Sequence, residues 1–237
     1  MIPRNIHYVW LGGGAFKPLT RLCMNSWHRV LTDYTITEWN EESLDLPQLC
    51  AEHRFLTECI RLKLWAFASD WLRLHILYTK GGIYLDTDIE VLKTYDALLN
   101  NPMFIGMESN GYIGTGVIGA EAENPTIKRL LDFYDEEIWH VDFINNPIIF
   151  RYLREREPNA FEGCTILPQD VLSPYEPTRE YRGLVENENT LSIHWYSNDW
   201  NMSRKGYVFM HTKHIANPLL RQLAAVRKSL GYKARSH

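Results

Sequence analysis

The sequence predicts an α/β fold with a mixed, mostly parallel sheet flanked by helices, and three observations lead to this class. Residues 2–10 and 34–39 have the pattern of strands and are separated by a helical pattern over 19–30, which is the order of a parallel α/β sheet. Apolar residues over 55–77 recur at three- and four-residue spacings, as on the buried stripe of a helix. Residues 83–85 then form a short apolar run typical of a buried strand.

The later segments continue this alternation of strands and helices. Two apolar runs joined by Asn110-Gly111 predict a hairpin over 103–119. A helix is predicted over 126–139 and another strand over 191–195. The pattern weakens over 140–182. There Asn145-Asn146-Pro147 precedes a helical segment to Arg156, residues 165–168 suggest a strand, and the later prolines favour loops.

The composition is that of an ordinary soluble domain. The 237 residues, with 45% apolar and 23% charged residues, can form a sizeable core, and no run of 18 apolar residues predicts a transmembrane helix. The four cysteines lack paired spacing, so we expect free thiols in a reducing compartment and no zinc site. Met1 leads directly into a strand-like segment, so we expect no signal peptide and a cytoplasmic location.

Asp86-Thr87-Asp88 directly follows the apolar run and is the first candidate for chemistry. On a regular strand the two carboxylates would share one face, and joint ionisation is unfavourable unless a cation neutralises them. Their hard oxygen atoms suit Mg²⁺ or Mn²⁺, which keep open positions for phosphate oxygens. A solvated turn with two ordinary aspartates is the alternative, because the triplet is short and common.

The residues before this triplet extend the pattern. Phe67-Ala68-Ser69-Asp70-Trp71-Leu72-Arg73 lies on the predicted helix, and Gly81-Gly82-Ile83-Tyr84-Leu85-Asp86-Thr87-Asp88 follows it. Together they resemble the signature of the DXD-containing sugar-transfer family of glycosyltransferases. That family includes Och1-like mannosyltransferases, bacterial capsular and lipopolysaccharide glycosyltransferases and, more remotely, the clostridial glucosylating toxins. The match is long and ordered, so it is far more specific than the triplet alone.

The resemblance implies a GT-A type fold, in which a nucleotide diphosphate sugar binds beyond the C-terminal ends of the strands. We expect a single domain over 1–237. Within it, residues 2–131 would form the nucleotide-sugar and metal core, and 140–200 the acceptor side and a closing loop. Residues 217–230 would form a basic C-terminal helix.

The resemblance also implies roles for the residues of its motifs. Asp88 would bind Mn²⁺ or Mg²⁺ directly, and Asp86 directly or through water, so that the metal bridges the diphosphate. Asp70 and Arg73 would complete the catalytic group by hydrogen-bonding the sugar hydroxyls, and Tyr84 would brace the donor near the diphosphate. An i,i+3 surface ion pair is the alternative for Asp70 and Arg73.

The donor site implied by the resemblance includes two further residues of the N-terminal half. Trp10, at the end of the first strand, would stack on the nucleotide base. A buried tryptophan at a strand end is the alternative. Ser69 would line the donor site beside Asp70.

A late segment would close the donor site. His194 would reach the metal or the diphosphate, and Trp200 would cover the donor. The family's usual Ser-Trp pair is replaced here by Asp199-Trp200. It therefore stays open whether Ser197, Asn198 or Asp199 completes the metal site.

The implied reaction is transfer of a hexose from a UDP- or GDP-sugar to a hydroxyl acceptor, with retention of anomeric configuration. The acceptor would be a cell-surface polysaccharide or a lipid-linked saccharide, and no nucleic-acid partner is expected. A toxin-like enzyme that glycosylates a protein is an alternative. Two other classes are more remote: a metal-dependent phosphohydrolase, whose motif Glu90 does not fit, and a sugar-binding protein without catalysis.

The C-terminal segment is basic. Residues 201–237 contain eight Lys or Arg residues and no acid, whereas the first 200 residues contain all 29 acidic residues. Over 217–230, apolar residues at spacings of four and three predict an amphipathic helix. Such a helix can lie on an anionic membrane at the inner face. The alternative is a closing helix whose leucines pack on the domain.

Overall fold

The computed structural model describes residues 1–197 and 202–232, apart from the side chain of Asn110. In the described residues no helix has the length and apolar character needed to span a membrane. The helices and strands are, in chain order, β1 (Asn5–Val9), α1 (Pro18–Val30), β2 (Thr35–Trp39), α2 (Leu46–Glu52), α3 (Arg54–Arg61), α4 (Trp65–Lys80), β3 (Gly82–Leu85), β4 (Ile89–Val91), β5 (Met103–Met107), β6 (Ile113–Ala120), α5 (Pro125–Asp135), α6 (Asn146–Arg156), β7 (Cys164–Leu167), α7 (Gln169–Leu172), β8 (Ser192–His194), α8 (Arg204–Thr212) and α9 (Pro218–Gly231).

Six of these strands form one sheet in the order β2-β1-β3-β6-β5-β7. β1 pairs in parallel with β2 and β3, and β5 pairs in parallel with β7. β6 runs antiparallel to both of its neighbours, β3 and β5. The expected mixed, mostly parallel sheet and the hairpin over 103–119 are therefore confirmed.

Apolar clusters lie on both faces of this sheet because side chains alternate along each strand. In β3, Tyr84 belongs to the cluster formed with α3, α4, α5 and α6. Its neighbours Ile83 and Leu85 belong to the opposite cluster, which includes Trp27 of α1. The short apolar run of β3 is thus buried on both sides, directly before the aspartate triplet.

A second, two-stranded sheet joins distant parts of the chain. β4 pairs antiparallel with β8, and Ile89 lies opposite His194. α1 supports this pair from behind, because Trp27 Nε1 donates to the Ile89 carbonyl at 2.7 Å and the Val91 amide donates to Ser26 Oγ at 2.8 Å. The pairing brings His194 next to the residues that follow β3.

The glycine pair Gly81-Gly82 follows the last residue of α4. Gly81 and Gly82 have φ of 63° and 112°, in the region that favours glycine. A Cβ at Gly82 would lie 2.6 Å from the Asn5 carbonyl oxygen, so β3 approaches β1 closely here. The His7 ring contacts the Gly81 carbonyl through Nε2 at 2.9 Å and fixes the turn.

The single helix predicted over 55–77 is wrong, because the chain breaks into α3 and α4 at residues 62–64. Lys63 there adopts a left-handed φ of 56°. Leu62 and Leu64 would point to opposite sides of a continuous helix, whereas the break buries both of them. It also places Lys63 on the rim of a large cleft.

Helices α2, α7 and α8 were not predicted from the sequence. Pro47 is typical of a loop in the sequence, but it occupies the first turn of α2, where a proline is tolerated. Gly206 obscures the helical pattern of α8, although a Cβ there would lie 2.5 Å from Leu64 Cδ2. The helix predicted over 217–230 is confirmed as α9.

Candidate active site

Strands β1, β3 and β5 point the same way and end at one edge of the sheet, where their next residues line a cleft. Trp10 follows β1, Asp86 follows β3 and Glu108 lies just beyond β5. The cleft has a volume of about 1000 Å³. This is the position at which open α/β sheets bind ligands.

The aspartate triplet forms a turn between β3 and β4, not the regular strand assumed from the sequence. The Ile89 amide donates to the Asp86 carbonyl at 3.0 Å, which closes the turn. The Ser197 amide donates to Asp88 Oδ2 at 2.8 Å. The turn brings the two carboxylates together, although they do not share the face of a strand.

Asp86, Asp88 and His194 form a candidate metal site. Each offers a ligand atom within 4.8 Å of the others, and His194 Nε2 lies 3.4 Å from Asp88 Oδ1. A Cβ at Gly116 would lie 3.3 Å from both Asp86 Oδ2 and His194 Cε1, so the glycine keeps the space beside them open. Two carboxylates and one imidazole fit the preferences of Mn²⁺, and the oxygen atoms fit Mg²⁺.

Glu108 and Tyr196 hold His194 in this position, and neither was singled out from the sequence. Glu108 Oε1 lies 3.1 Å from His194 Nδ1, so the two ring nitrogens of His194 face two carboxylates. The ring of Tyr196 stacks on the imidazole with 3.9 Å between centroids. Gly114 leaves room for Glu108, because a Cβ there would lie 2.8 Å from Glu108 Cγ.

Arg73 is buried and braces Asp86. Its Nη2 lies 3.0 Å from Asp86 Oδ1 and its Nη1 donates to the Thr115 carbonyl at 2.5 Å. The guanidinium also lies over the Tyr84 ring, 4.5 Å from its centroid. Tyr84 in turn donates to Asp86 Oδ1 at 3.1 Å, so both residues orient this carboxylate.

Asp70 pairs with Arg73 at 3.2 Å, at i,i+3 spacing, but both side chains are buried rather than on the surface. Asn146 also anchors Asp70. Its backbone amide donates to Asp70 Oδ2 at 3.2 Å, and its side-chain Nδ2 donates to the Asp70 carbonyl oxygen at 3.0 Å. Asp70 and Arg73 also line the cleft. The pair is therefore placed at the floor of the candidate site.

The charges of the cluster are strongly coupled. Burial would raise the pKa of Asp88, but hydrogen bonds from His194 and Ser197 outweigh it and lower the pKa to about 2. Burial would lower the pKa of His194, but its bonds to Asp88 and Glu108 raise it to about 10. In the absence of a bound cation, His194 therefore carries the positive charge between the carboxylates.

The other two carboxylates respond mainly to burial. Burial raises the pKa of Asp86, against the opposing charge of Arg73. Burial also raises the pKa of Asp70 to about 6, with Arg73 and the Asn146 amide opposing the change. Both shifts have the sign expected where carboxylates are removed from water.

The donor residues predicted from the N-terminal half all line the same cleft. Trp10 is half-buried, its Nε1 donates to the Gly14 carbonyl at 2.8 Å, and its ring lies 4.6 Å from that of Phe16. Ser69 Oγ lies 2.9 Å from Tyr84 Oη. Trp65 lines the cleft near Gly12 and was not predicted.

The predicted closing residues Asn198, Asp199 and Trp200 lie outside the described residues. Ser197 is described, and its amide reaches Asp88. Lys63 and Lys205 line the rim of the cleft on the side of α3 and α8. These cations suit an anionic ligand such as a diphosphate.

A comparison with protein families matches the part of the sequence that contains the aspartate triplet. The family model described as "Glycosyltransferase sugar-binding region containing DXD motif" matches residues 19–105. The predicted resemblance is confirmed. The matched region contains the helix, the glycine turn and both aspartates of the triplet, and it ends before His194.

Two curated relatives match about half of the chain. "Glucan organizing enzyme 1" of Cryptococcus neoformans is 31% identical over 138 residues, 56% of this chain and 33% of the relative. "Inositol phosphoceramide mannosyltransferase 3" of Schizosaccharomyces pombe is 30% identical over 137 residues, 55% of this chain and 36% of the relative. The chain thus spans about a third of the length of these relatives.

Solved structures share the fold at low sequence identity. The UDP-bound glycosyltransferase domain of the YGT toxin aligns with a TM-score of 0.53 and 12% identity, covering 97% of this chain and 89% of that domain. A glycosyltransferase involved in the glycosylation of the major capsid of PBCV-1 aligns with a TM-score of 0.51 and 14% identity. The alignment covers 94% of this chain and 98% of that enzyme. These structures confirm the predicted GT-A fold. The prediction of a glycosyltransferase is supported by the family match over residues 19–105.

Proposed function

We propose that the protein is a metal-dependent, retaining glycosyltransferase. It moves a hexose from a nucleotide diphosphate sugar to a hydroxyl of a saccharide or a lipid-linked saccharide. The observation that carries the proposal is the convergence of Asp86, Asp88 and His194 at the base of the cleft, where their ligand atoms lie within 4.8 Å of one another. The match of residues 19–105 to the DXD region supports the same reaction class.

Asp86, Asp88 and His194 would hold the cation, and Mn²⁺ is the first choice because one ligand is an imidazole. A bound Mn²⁺ or Mg²⁺ neutralises the charge that develops on the diphosphate leaving group. Arg73 and Tyr84 fix the direction of the Asp86 carboxylate through bonds of 3.0 and 3.1 Å. Their preorganisation means that little reorientation is needed when the donor binds.

In the transfer step the acceptor oxygen forms a bond to the anomeric carbon, and the bond from that carbon to the diphosphate oxygen breaks. The electron pair of the broken bond stays with the nucleoside diphosphate. The departing diphosphate takes the proton of the acceptor hydroxyl on the same face of the sugar, which retains the configuration. Asp70 lies at the floor of the cleft, where it can accept a hydrogen bond from a sugar hydroxyl.

Trp10 would bind the base of the donor, and the rim cations would bind its phosphates. Trp10 lines the cleft and offers an aromatic ring, and base stacking contributes about 1–3 kcal/mol. Lys63 and Lys205 lie on its rim. The name of the fission yeast relative makes GDP-mannose the first donor to test, followed by UDP-glucose and UDP-galactose.

The first test measures release of the nucleoside diphosphate from these donors with Mn²⁺, with Mg²⁺ and with EDTA. Asp88→Ala should lower the rate at least about a hundredfold, the scale of losing a charge clamp of about 2.7 kcal/mol. Asp33→Ala, at an exposed aspartate, is the matched control and should keep the wild-type rate. Undiminished turnover in EDTA would contradict the metal-dependent mechanism.

A second test separates recognition of the base from recognition of the sugar. Trp10→Ala should weaken binding of both the free nucleoside diphosphate and the intact donor, because both carry the base. Asp70→Ala should weaken the donor and leave the affinity for the free nucleotide nearly unchanged. Calorimetry with the two ligands measures this, and equal losses in both variants would show that the two subsites are wrongly assigned.

A further inference from the structure

Tyr196 has a backbone conformation that aromatic residues rarely adopt. Its φ is 49°, in the left-handed region that favours glycine. Lys63 and Glu123 are the other non-glycine residues with positive φ in the part of the chain that the structure describes. Tyr196 differs from both because its ring stacks on His194, a candidate metal ligand. Backbone strain of this kind persists where the surrounding contacts enforce it, and it clusters at functional sites.

The two backbone amides on either side of Tyr196 both bind Asp88. The Trp195 amide donates to the Asp88 carbonyl at 3.1 Å, and the Ser197 amide donates to Asp88 Oδ2 at 2.8 Å. Tyr196 is the residue between them, so its left-handed backbone sets the direction from which Ser197 approaches the carboxylate. A carboxylate that accepts from a fixed amide keeps its orientation, because the bond restricts its rotation.

The ring of Tyr196 is held between the imidazole and the end of α7. It lies 3.9 Å from the His194 ring between centroids, at an interplanar angle of 27°. Its Oη lies 3.1 Å from Oγ of Ser173, a buried residue directly after α7. The neighbouring Leu172 carbonyl accepts from Ser192 Oγ of β8 at 3.1 Å. The end of α7 is thereby bound to the strand that carries His194, and it gives the ring a fixed support.

A glycine could make the same turn without strain, so the tyrosine side chain must contribute what glycine lacks. The stack on His194 and the contact with Ser173 are those contributions. We propose that Tyr196 is the positioning residue that joins the two halves of the metal site: its backbone directs the Ser197 amide to Asp88, and its ring fixes the imidazole of His194. The inference rests on the metal site of the proposed function, and it assigns the alignment of ligands from two separate elements to one residue.

Four variants of Tyr196 separate the ring from the backbone, with Mn²⁺ affinity measured by electron paramagnetic resonance and without donor. Tyr196→Phe keeps the ring and should stay within about threefold of the wild type. Tyr196→Gly keeps the left-handed backbone but lacks the ring, and it should lose about three- to tenfold. Tyr196→Ala also lacks the ring and disfavours this backbone, so it should bind at least about threefold more weakly than Tyr196→Gly. Recovery of affinity in Tyr196→Trp, which restores an aromatic ring, would support the stacking role.

Glu123→Ala is the matched control for backbone strain. Glu123 is exposed, also has a left-handed backbone, with φ of 57°, and precedes α5. Its replacement by alanine should leave the Mn²⁺ affinity unchanged. An equal loss in Glu123→Ala and Tyr196→Ala would indicate a general structural effect and would overturn the positioning role.

Hydrogen exchange in EDTA gives a readout that needs no metal. The Ser197 amide should exchange at least about tenfold faster in Tyr196→Ala than in the wild type, because its bond to Asp88 is no longer held. The Leu92 amide, which donates to the Leu191 carbonyl at 2.8 Å beside the same strand pair, is the internal control. Equal acceleration at Leu92 would mean that the whole β4–β8 pair opens, and it would contradict a local role for Tyr196.

This role and the proposed function fail separately. If the wild type binds Mn²⁺ and releases nucleotide, but Tyr196→Ala binds Mn²⁺ equally well, the role of Tyr196 is overturned and the transferase function stands. If the wild type binds no Mn²⁺, the proposed metal site is wrong and the positioning role is overturned with it.

Discussion

At the scale of single residues, Glu108 gives His194 a defined orientation. A histidine that binds a metal through one ring nitrogen usually donates from the other nitrogen to a carboxylate, which fixes the ring. Glu108 is placed for this at 3.1 Å from His194 Nδ1. His194 Nε2 then faces Asp88 and the open space beside Gly116.

Glu108→Leu should weaken Mn²⁺ binding by about 10–100-fold, since His194 loses the partner that orients it. Glu108→Gln, which keeps an oxygen acceptor, should lose less. The loss of the free Mn²⁺ signal in electron paramagnetic resonance measures the affinity directly. Glu90→Gln is the matched control, because Glu90 bonds Trp195 at 3.0 Å next to His194. Equal losses in Glu108→Leu and Glu90→Gln would indicate a general structural effect.

The raised pKa of His194, about 10, predicts a pH dependence of the metal-free protein. The folded pKa lies above the usual value of about 6.5. The contribution of the protonated ring to stability is therefore full below pH 6.5 and is lost as pH rises through 10. The free energy of unfolding in EDTA should fall over this window by up to a few kcal/mol more than in His194→Gln. Urea titrations at pH 6.5, 8 and 10 test this, and parallel curves for the two proteins would contradict it.

Most of the predicted cluster members lie in one local pattern, whereas His194 was expected only from the family resemblance, and Glu108 and Tyr196 were not predicted. Asp70, Arg73, Tyr84 and Asp86 all lie within one helix–turn–strand run. Glu108 contacts a residue 86 positions away, so its role depends on the strand order. Its place at the end of β5 would have been a signal only if β5 had been known to run parallel to β3.

At the scale of elements, the turn between α4 and β3 sets the position of the triplet. Gly82→Ala should lower the free energy of unfolding by about 2–4 kcal/mol, from the left-handed backbone and the contact of its Cβ with Asn5. Chemical denaturation measures the loss. Gly183→Ala is the control, because a Cβ there meets no atom within 4 Å. Similar stability of the two variants would mean that the turn can relax.

The elements themselves were predicted well where apolar periodicity was continuous. β1, α1, β2, β3 and the β5–β6 hairpin match their predicted segments within a few residues. The break at Lys63 was not visible because the apolar spacing continues through it. α8 was missed because Gly206, required by its contact with Leu64, resembles a loop residue in the sequence.

At the scale of the whole molecule, α8 is part of the core and α9 is an addition to it. Phe209 of α8 is buried against Trp139, with 6.2 Å between ring centroids, and Lys213 bonds the Ile138 and Val141 carbonyls. α9 buries none of its own residues.

A chain that ends after residue 216 should therefore lose no more than about 1–2 kcal/mol of unfolding free energy. A chain that ends after residue 203 should lose at least about 3 kcal/mol, the scale of removing a buried aromatic ring. Thermal or urea unfolding of the two chains compares them. A large loss on removing α9 alone would show that it stabilises the domain.

The pairing of β4 with β8 has a consequence for how the protein is made. A growing chain carries Asp86 and Asp88 more than a hundred residues before it carries His194. The two aspartates can therefore emerge while they still lack the imidazole and the Ser197 amide. If the proposed metal site is correct, all three ligands become available only late in synthesis, so an interrupted translation product carries the triplet but not the complete set of ligands.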